Sequence, residues 1–142
     1  MIIPDTNLLL YAYSEDSPHA PAARNWWEST LTTREPVGLP WSVILGFLRI
    51  GTNRRLTRKA MEAREGVAEV RRWLAQPHVH ILHPGNRHAD ILFGFLEELG
   101  AAGNLTTGAH LAALAVEYQA VLYTADADFT RFSGLRWKNP LV

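Results

Sequence analysis

Residues 1–13 place a carboxylate where a buried strand gives way to a helix. Ile2 and Ile3 are β-branched and apolar, which favours a core strand, and Pro4 has no N–H for a further ladder hydrogen bond. The three consecutive leucines that follow suit a buried helix. Asp5 is therefore predicted at the carboxyl end of a strand, which is the edge where parallel α/β sheets form their binding crevices.

Asp5 has two interpretations from the sequence alone. Asp5, Thr6 and Asn7 are all residue types that cap a helix by accepting a backbone hydrogen bond, so Asp5 could serve only as a cap. Alternatively Asp5 is a metal ligand, because acids carried to one sheet edge from distant parts of a chain can share a cation. The second interpretation requires further acids at the same edge.

Such acids follow the last core strand of the chain. The apolar run at 121–123 predicts a strand, and the segment T-A-D-A-D-F comes directly after it. Asp126 and Asp128 thus follow a strand in the same way as Asp5. We expect all three side chains to gather at one edge of the sheet.

Short apolar segments alternate with amphipathic helical patterns along the whole chain. Strands are predicted at 2–3, 37–39, 79–82, 121–123 and 135–137, with helices around 8–10, 17–31, 41–50, 61–74, 86–99 and 106–118. This alternation predicts one domain, residues 1–142, folded as a three-layer α/β/α sandwich with a mainly parallel sheet. The two helices within 41–74 exceed a minimal crossover, and we expect them to stand off the sheet as a hairpin insertion.

Local signals also predict how individual helices begin and end. Ser17 followed by proline predicts the cap of the second helix, and Thr106 with its neighbouring threonine predicts the cap of the last one. Gly100 is expected to stop the helix before it. Of the adjacent Trp26 and Trp27, one is expected in the core and the other is expected to be exposed.

Composition excludes several kinds of chemistry. The chain of 142 residues has no cysteine, which rules out disulfides, thiolate catalysis and cysteine-ligated zinc or iron–sulfur sites. The N-terminus is a poor signal peptide, and no run approaches the roughly 18 apolar residues of a membrane span. We therefore expect a soluble cytoplasmic protein with no membrane association.

The formal net charge is zero, but the basic residues are concentrated in 49–72. Such a segment could contact the phosphates of a nucleic acid, and it could equally be a solvated surface. The candidate phosphate contacts are Arg49, Arg54, Arg55 and Arg58.

Four histidines, His78, His80, His83 and His88, suggest a zinc site. No paired carboxylate lies near them in sequence, which favours structural or surface histidines over ligands.

Three segments in this order and at these distances resemble the PIN domain: I-I-P-D-T-N-L-L-L-Y, L-T-T-G-A-H-L-A-A-L-A and L-Y-T-A-D-A-D-F-T-R-F. Together with P-W-S-V-I-L-G-F-L-R-I-G-T-N, they resemble the VapC-type toxins of bacterial type II toxin–antitoxin pairs. The resemblance implies a flavodoxin-like sheet and endoribonuclease cleavage of RNA with Mg²⁺ or Mn²⁺. It also implies a cognate antitoxin protein as partner and a homodimer.

The resemblance assigns roles to the acids. Asp5 matches the first acid of the family, Asp126 matches its late acid and Asp128 matches the frequent companion of that acid. Asp5 and Asp126 are then the expected metal ligands, with all three acids catalytic. Thr6, Asn7 and Thr124 are expected to hold them by hydrogen bonds.

Two departures bear on activity. Gly108 stands where the family pattern leads us to expect an aspartate and principal metal ligand, and Gly46 stands where many members have glutamate. We therefore expect an impaired nuclease. The alternative is a catalytically inactive PIN-like module that binds RNA or the antitoxin. An aspartyl phosphatase is disfavoured, because D-T-N rather than D-x-D follows the first strand.

Overall fold

The computed structural model describes residues 1–100 and 103–142, and its centre is a five-stranded sheet. All pairings between neighbouring strands in this sheet are parallel, and the strand order is β3-β2-β1-β4-β5. The strands are β1 (Ile2–Pro4), β2 (Val37–Pro40), β3 (Val79–Leu82), β4 (Val121–Tyr123) and β5 (Trp137–Lys138). The parallel sheet confirms the predicted fold class, although β5 begins later than the predicted 135–137.

Six α-helices cover the sheet within the described residues: α1 (Thr6–Tyr13), α2 (Ala20–Thr32), α3 (Trp41–Gly51), α4 (Ala63–Leu74), α5 (His88–Leu99) and α6 (Thr106–Glu117). The chain steps from β1 to β2 to β3 in one direction and then crosses back to β4. Because parallel crossovers are right-handed, α1 to α4 lie on one face, and α5 and α6 lie on the other. The contacts agree, since α1 packs on α2 and α3, while α5 packs on α6.

The strand register brings the two acidic segments together. Pro4, the last residue of β1, pairs with Tyr123, the last residue of β4. The backbone N–H of Asp5 donates to the carbonyl oxygen of Tyr123 at 2.8 Å. Asp5 directly follows β1 and Thr124 directly follows β4, so the two residues lie side by side at the carboxyl edge of the sheet.

Helices α3 and α4 form the predicted hairpin, but the hairpin does not stand off the sheet. Phe47 of α3 and Trp73 of α4 are both 0% exposed, and their ring centroids are 4.8 Å apart. Trp73 also meets Trp27 of α2 edge-on at 5.4 Å. The expectation that the hairpin stands apart was wrong because side chains of this size stabilise the fold most when they join the common core.

Two predicted caps were also wrong. Helix α2 begins at Ala20 rather than next to Ser17, whose hydroxyl oxygen instead accepts from the N–H of His19 at 3.1 Å in the preceding turn. Thr106 is the first residue of α6, and its hydroxyl donates to the carbonyl of Gly103 at 2.9 Å. Gly100 ends α5 as predicted, with the left-handed φ of 74° that favours glycine.

The tryptophan and histidine predictions differ in outcome. Trp27 is buried as expected, but Trp26 is only half-exposed because it stacks on Tyr123 with ring centroids 5.4 Å apart. His88 is buried and its Nε2 lies 2.9 Å from Nδ1 of His110, whereas Nε2 of His78 lies 3.0 Å from the carbonyl of Thr30. These contacts are structural, as the sequence favoured.

Candidate active site

Asp5 is the N-cap of α1, and both of its carboxylate oxygens are engaged by the protein. Oδ1 accepts from the backbone N–H of Thr6 at 2.7 Å, and Oδ2 accepts from the hydroxyl of Thr124 at 2.7 Å. The cap interpretation is therefore correct. It does not exclude the ligand interpretation, because each oxygen of an ionised carboxylate has two lone pairs and each accepts only one of these bonds.

The hydroxyl of Thr124 links the two acidic segments. Thr124 is 0% exposed, and while its hydroxyl donates to Asp5, its oxygen accepts from the N–H of Asp126 at 3.0 Å. The side-chain amide of Asn7 also donates to this oxygen at 3.4 Å, and its Oδ1 accepts from the N–H of Ala125 at 3.5 Å. One buried hydroxyl thus fixes the position of the segment that carries Asp126 relative to Asp5.

Asp126 starts a short 3₁₀ helix, Ala127–Arg131, after β4. Its Oδ1 accepts from the N–H of Asp128 at 2.8 Å, which orients the carboxylate while leaving the side chain exposed. Asp128 is exposed as well. These two carboxylates are accessible to solvent and to a substrate, whereas Asp5 is mostly buried.

The three predicted acids line one small pocket of about 170 Å³. Its lining residues are Asp5, Asn104, Leu105, Gly108, Asp126, Asp128, Phe129 and Phe132. The structure therefore brings together acids that are more than a hundred residues apart in sequence. Sequence reasoning missed Asn104, because it lies in a short 3₁₀ turn outside the patterns that mark the strands and helices.

Gly108 forms part of the wall of this pocket. It lies in the first turn of α6, and a Cβ built on it would meet Cζ of Phe129 at 3.6 Å, an ordinary contact distance. A larger side chain can therefore begin here without a clash at Cβ.

Across residues 1–100 and 103–142, no group of three or more His, Cys, Asp or Glu side chains is placed to hold a metal ion.

Burial raises the pKa of the Asp5 carboxyl above its ordinary value of 3.8. The hydrogen bonds from Thr124 and Thr6 act in the opposite direction, and the negative charge of Asp126 adds a smaller upward contribution. Ionised Asp5 is thus desolvated and faces a second negative charge. A bound cation would relieve both effects, since an opposite charge nearby favours the ionised form.

Two carboxylates with a shared pocket fit a divalent ion of the magnesium type. Mg²⁺ takes oxygen ligands and is usually held by one or two carboxylates together with waters and substrate phosphates. Asp5 and Asp126 meet that minimum number of carboxylates. No thiol or imidazole lines the pocket, so it does not fit a structural zinc ion.

Gly46 has a steric explanation. A Cβ at this position would lie 3.0 Å from Oγ1 and 3.1 Å from Cγ2 of Thr6, which is tighter than ordinary packing. The glycine lets α3 approach the start of α1 next to Asp5. A glutamate at position 46 would require Thr6 to move. Glycine at this position therefore fits the close packing of Thr6 against α3.

The candidate arginines occupy different places. Arg49 lines a groove of about 760 Å³ that opens onto Asp5 and Thr6. Arg54 and Arg55 are exposed in the turn after α3 and line neither this groove nor the acidic pocket. Arg58 lines a separate cavity, and its Nε lies 3.9 Å from Oδ2 of Asp16. Of the four candidate arginines, Arg49 therefore lines a groove that Asp5 also lines.

The sequence pattern that defines the PIN domain matches residues 2–135. The chain belongs to the PIN domain family. Its relatives include Ribonuclease VapC33 of Mycobacterium tuberculosis, 44% identical over 141 residues and covering 99% of both chains. Ribonuclease VapC37 of the same organism is 39% identical over 140 residues, covering 99% of this chain and 97% of the relative. Within the family, the chain is thus of the VapC type.

Solved structures share the PIN fold at lower identity. VapBC2 from Rickettsia felis, bound to a DNA fragment from its promoter, aligns with a TM-score of 0.69 and 20% identity over 98% of both chains. VapC20 of M. tuberculosis, a toxin described as cleaving the sarcin–ricin loop, aligns with a TM-score of 0.69 and 18% identity, covering 96% of this chain and 99% of that chain. Among the residues described for this PIN domain, no helix has the length and apolarity to cross a bilayer.

Replacing Thr124 tests the link between the acids of this PIN domain. Thr124→Val keeps the shape but leaves Oδ2 of Asp5 and the N–H of Asp126 without their partner. We expect about 1–3 kcal/mol of lost unfolding free energy and a roughly 10- to 100-fold loss of metal affinity. Thr130→Val, which removes an exposed hydroxyl bonded to a nearby carbonyl, is the control. Denaturant unfolding and Mn²⁺ titration that are equal for both variants would contradict the assignment.

Proposed function

We propose that this VapC-type protein is the toxin of a bacterial type II toxin–antitoxin pair and a metal-dependent endoribonuclease. The observation that carries the proposal is the placement of Asp5 and Asp126 in one pocket by a single buried hydroxyl, that of Thr124. The relatives that cover the full chain are named ribonucleases, which supports the reaction class. The lack of an acid at position 108 implies that the activity of this chain is impaired.

Asp5 and Asp126 would hold the Mg²⁺ or Mn²⁺ ion, and Asp128 would assist from the edge of the pocket. When bound, such an ion activates water for attack on a phosphodiester and stabilises the negative charge on the departing oxygen. Asp126 is exposed, and the N–H of Asp128 orients its carboxylate, which supports a role in orienting the attacking water. Thr6, Asn7 and Thr124 keep Asp5 and the segment of Asp126 in position.

The partners follow from the same proposal. RNA is the substrate, and the cognate antitoxin is the protein partner, in line with the VapBC pairs among the structural neighbours. We also propose a homodimer located in the cytoplasm and a single domain spanning 1–142. Size-exclusion chromatography with light scattering, with and without the co-expressed antitoxin, measures these assemblies.

A non-catalytic module is the second candidate. It is favoured by the lack, in residues 1–100 and 103–142, of any group of three or more side chains placed to hold a metal ion, although Asp5, Asp126 and Asp128 line one pocket. In that case the fold would still bind RNA or the antitoxin, and chemistry would be absent. The two candidates differ in a single readout, RNA cleavage that depends on added metal.

The test is cleavage of purified cellular RNA over a wide range of Mg²⁺ and Mn²⁺ concentrations, with the new RNA ends sequenced. The nuclease proposal expects specific ends that appear only with metal and disappear with a chelator, at a metal requirement higher than that of Gly108→Asp. Antitoxin binding with no metal-dependent cleavage by either protein would reject the nuclease and select the binding module.

The pH dependence of metal binding follows from the raised pKa of Asp5. As pH falls through this pKa, Asp5 gains a proton and loses the negative charge that binds the ion. Metal affinity should therefore fall at a higher pH than for an ordinary aspartate, whose pKa is 3.8. Mn²⁺ titrations from about pH 7 to about pH 3 measure the midpoint on both sides of the ordinary value. Asp126→Asn should lower the pKa of Asp5 in the metal-free protein as followed by NMR. A midpoint at or below 3.8 would contradict the burial argument.

Without metal, the raised pKa of Asp5 makes the folded protein more stable as the pH falls, whereas metal affinity decreases as the pH falls. Between 3.8 and the raised pKa, the folded protein binds more protons at Asp5 than the unfolded chain does. The contribution of Asp5 to the unfolding free energy therefore increases as pH falls through the folded pKa. Ionised Asp5 thus lowers the stability of the metal-free fold, as expected for a group retained for binding.

A further inference from the structure

Asn104 contributes a neutral polar side chain to the wall of the acidic pocket. It lies in the 3₁₀ turn Gly103–Leu105, directly before α6. The hydroxyl of Thr106 closes this turn, because it donates to the carbonyl of Gly103 at 2.9 Å. The hydrogen bond ties the turn to the start of α6, so the fold itself places Asn104 at the pocket.

The amide of Asn104 is available to a ligand. The residue is exposed, whereas the amide of Asn7, on the other side of Asp5, is used on both its atoms by Thr124 and Ala125. Hydrogen bonds within residues 1–100 and 103–142 engage other asparagine side chains as well, but none of them engages the side chain of Asn104. Its oxygen and nitrogen are therefore not committed to holding these parts of the fold together.

The pocket offers a cation few kinds of ligand. The polar side chains of its described wall are three carboxylates and the amide of Asn104. The other lining residues have no oxygen or nitrogen in their side chains: Leu105, Gly108, Phe129 and Phe132. Hard divalent cations bind oxygen ligands, and amide carbonyl oxygens are among them. Of the described lining residues, Asn104 is thus the one that can supply a neutral side-chain oxygen.

Asn104 and Gly108 share one side of the segment that leads into α6. They are four residues apart, which places side chains one above the other on a helix, and both line the acidic pocket. Gly108 has no side chain, and a Cβ built there meets Phe129 at an ordinary 3.6 Å. The space that an acid at position 108 would use is therefore open to the side chain that lies one turn earlier.

We propose that the carboxamide oxygen of Asn104 is a third protein ligand of the divalent ion, in addition to Asp5 and Asp126. This inference rests on the proposed nuclease function and adds a ligand to its metal site. Because the amide is neutral, it attracts the ion less than a third carboxylate would, yet more than a residue without a side-chain oxygen. Metal affinity should therefore increase in the order alanine, asparagine, aspartate at position 104.

The experiment titrates the full chain with Mn²⁺ in the absence of RNA and follows the free ion by electron paramagnetic resonance. Asn104→Ala should weaken Mn²⁺ binding roughly 10- to 100-fold. Asn104→Asp should bind Mn²⁺ more tightly than the parent chain does, since affinity rises with the charge of the ligands. Asn25→Ala removes an exposed amide of α2, on the other face of the sheet, and should bind as the parent does.

Two further readouts separate a ligand from a structural residue. In ¹⁵N-labelled protein, the side-chain amide signals of Asn104 should shift with added Mg²⁺ while those of Asn25 stay unchanged. In the Gly108→Asp background, Asn104→Ala should cost less Mn²⁺ affinity than in the parent chain, because an acid at position 108 supplies the ion with another ligand. A double-mutant cycle measures this coupling between the two positions.

Equal Mn²⁺ affinity for Asn104→Ala and Asn25→Ala would overturn the proposal, and so would a parent chain that binds no Mn²⁺. If denaturant unfolding shows that Asn104→Ala does not fold, Asn104→Asp decides, and an affinity no higher than that of the parent chain rejects the ligand. Mn²⁺ binding that requires Asn104, together with no RNA cleavage, would retain the ligand and reject the nuclease. Metal-dependent cleavage that Asn104→Ala leaves unchanged would retain the nuclease and reject the ligand.

Discussion

Gly108→Asp should increase metal-dependent RNA cleavage by at least about 10- to 100-fold at limiting Mg²⁺. Changes outside the ligand set already alter metal affinity or activity by about that factor, and this substitution adds a direct ligand. The geometry permits it, because a Cβ at position 108 makes an ordinary 3.6 Å contact with Phe129 and lies in the pocket that Asp5 and Asp126 line. An acid in the first turn of α6 is also favoured by the helix dipole.

Two controls isolate the carboxylate. Gly108→Asn has nearly the same shape without the charge and should give little gain. Gly94→Asp places the same acid at another helical glycine, with nothing within 4 Å of its Cβ and outside the pocket, and should give none. Cleavage by Gly108→Asp at the rate of the parent chain, over a full Mg²⁺ titration, would mean that the missing ligand is assigned to the wrong position.

Asp5→Asn should abolish metal-dependent cleavage, both in the parent chain and in the more active Gly108→Asp background. Asparagine caps a helix about as well as aspartate, so the N-cap bond from Thr6 is retained while the negative charge is lost. The neutral amide is a poor substitute for a carboxylate ligand to Mg²⁺. The amide nitrogen that replaces Oδ2 cannot accept from the Thr124 hydroxyl, so we expect a loss of about 1–3 kcal/mol of unfolding free energy, partly offset by removal of the desolvated charge.

The readouts for Asp5→Asn are cleavage rate, Mn²⁺ affinity and unfolding free energy in one set of proteins. Asp90→Asn, at an exposed acid in the first turn of α5, is the control for the general effect of removing a negative charge. Cleavage by Asp5→Asn at the rate of Asp90→Asn would remove Asp5 from the mechanism. Unfolding of Asp5→Asn at room temperature would show that its role is structural.

The sheet and the meeting of the acids could be predicted from the sequence because both depend on local and repeating signals. Short β-branched segments alternated with amphipathic helices, which limits the chain to a parallel sheet with helices on both faces. Asp5 and Asp126 each followed such a segment, and parallel strands end at the same edge. The linking role of Thr124 could be proposed only through the family resemblance, since its partner lies 119 residues away.

Features that depend on tertiary packing were harder to predict. The hairpin of α3 and α4 joins the core because Phe47 and Trp73 find Trp27 on another helix, a contact that no local pattern encodes. Trp26 is covered by Tyr123, a residue of β4 that is distant in sequence. The groove lined by Arg49 and Asp5 was missed because it forms where α3 packs against the start of α1, a contact between segments distant in sequence.

The most direct test of the shared metal site is anomalous diffraction from crystals of this chain grown or soaked in high Mn²⁺. The account predicts one anomalous peak within coordination distance of both the Asp5 and the Asp126 carboxylates, with higher occupancy in Gly108→Asp. A pocket without a peak in both proteins, or a peak bound by only one of these two acids, would contradict the claim that the chain joins its two ends around a divalent ion.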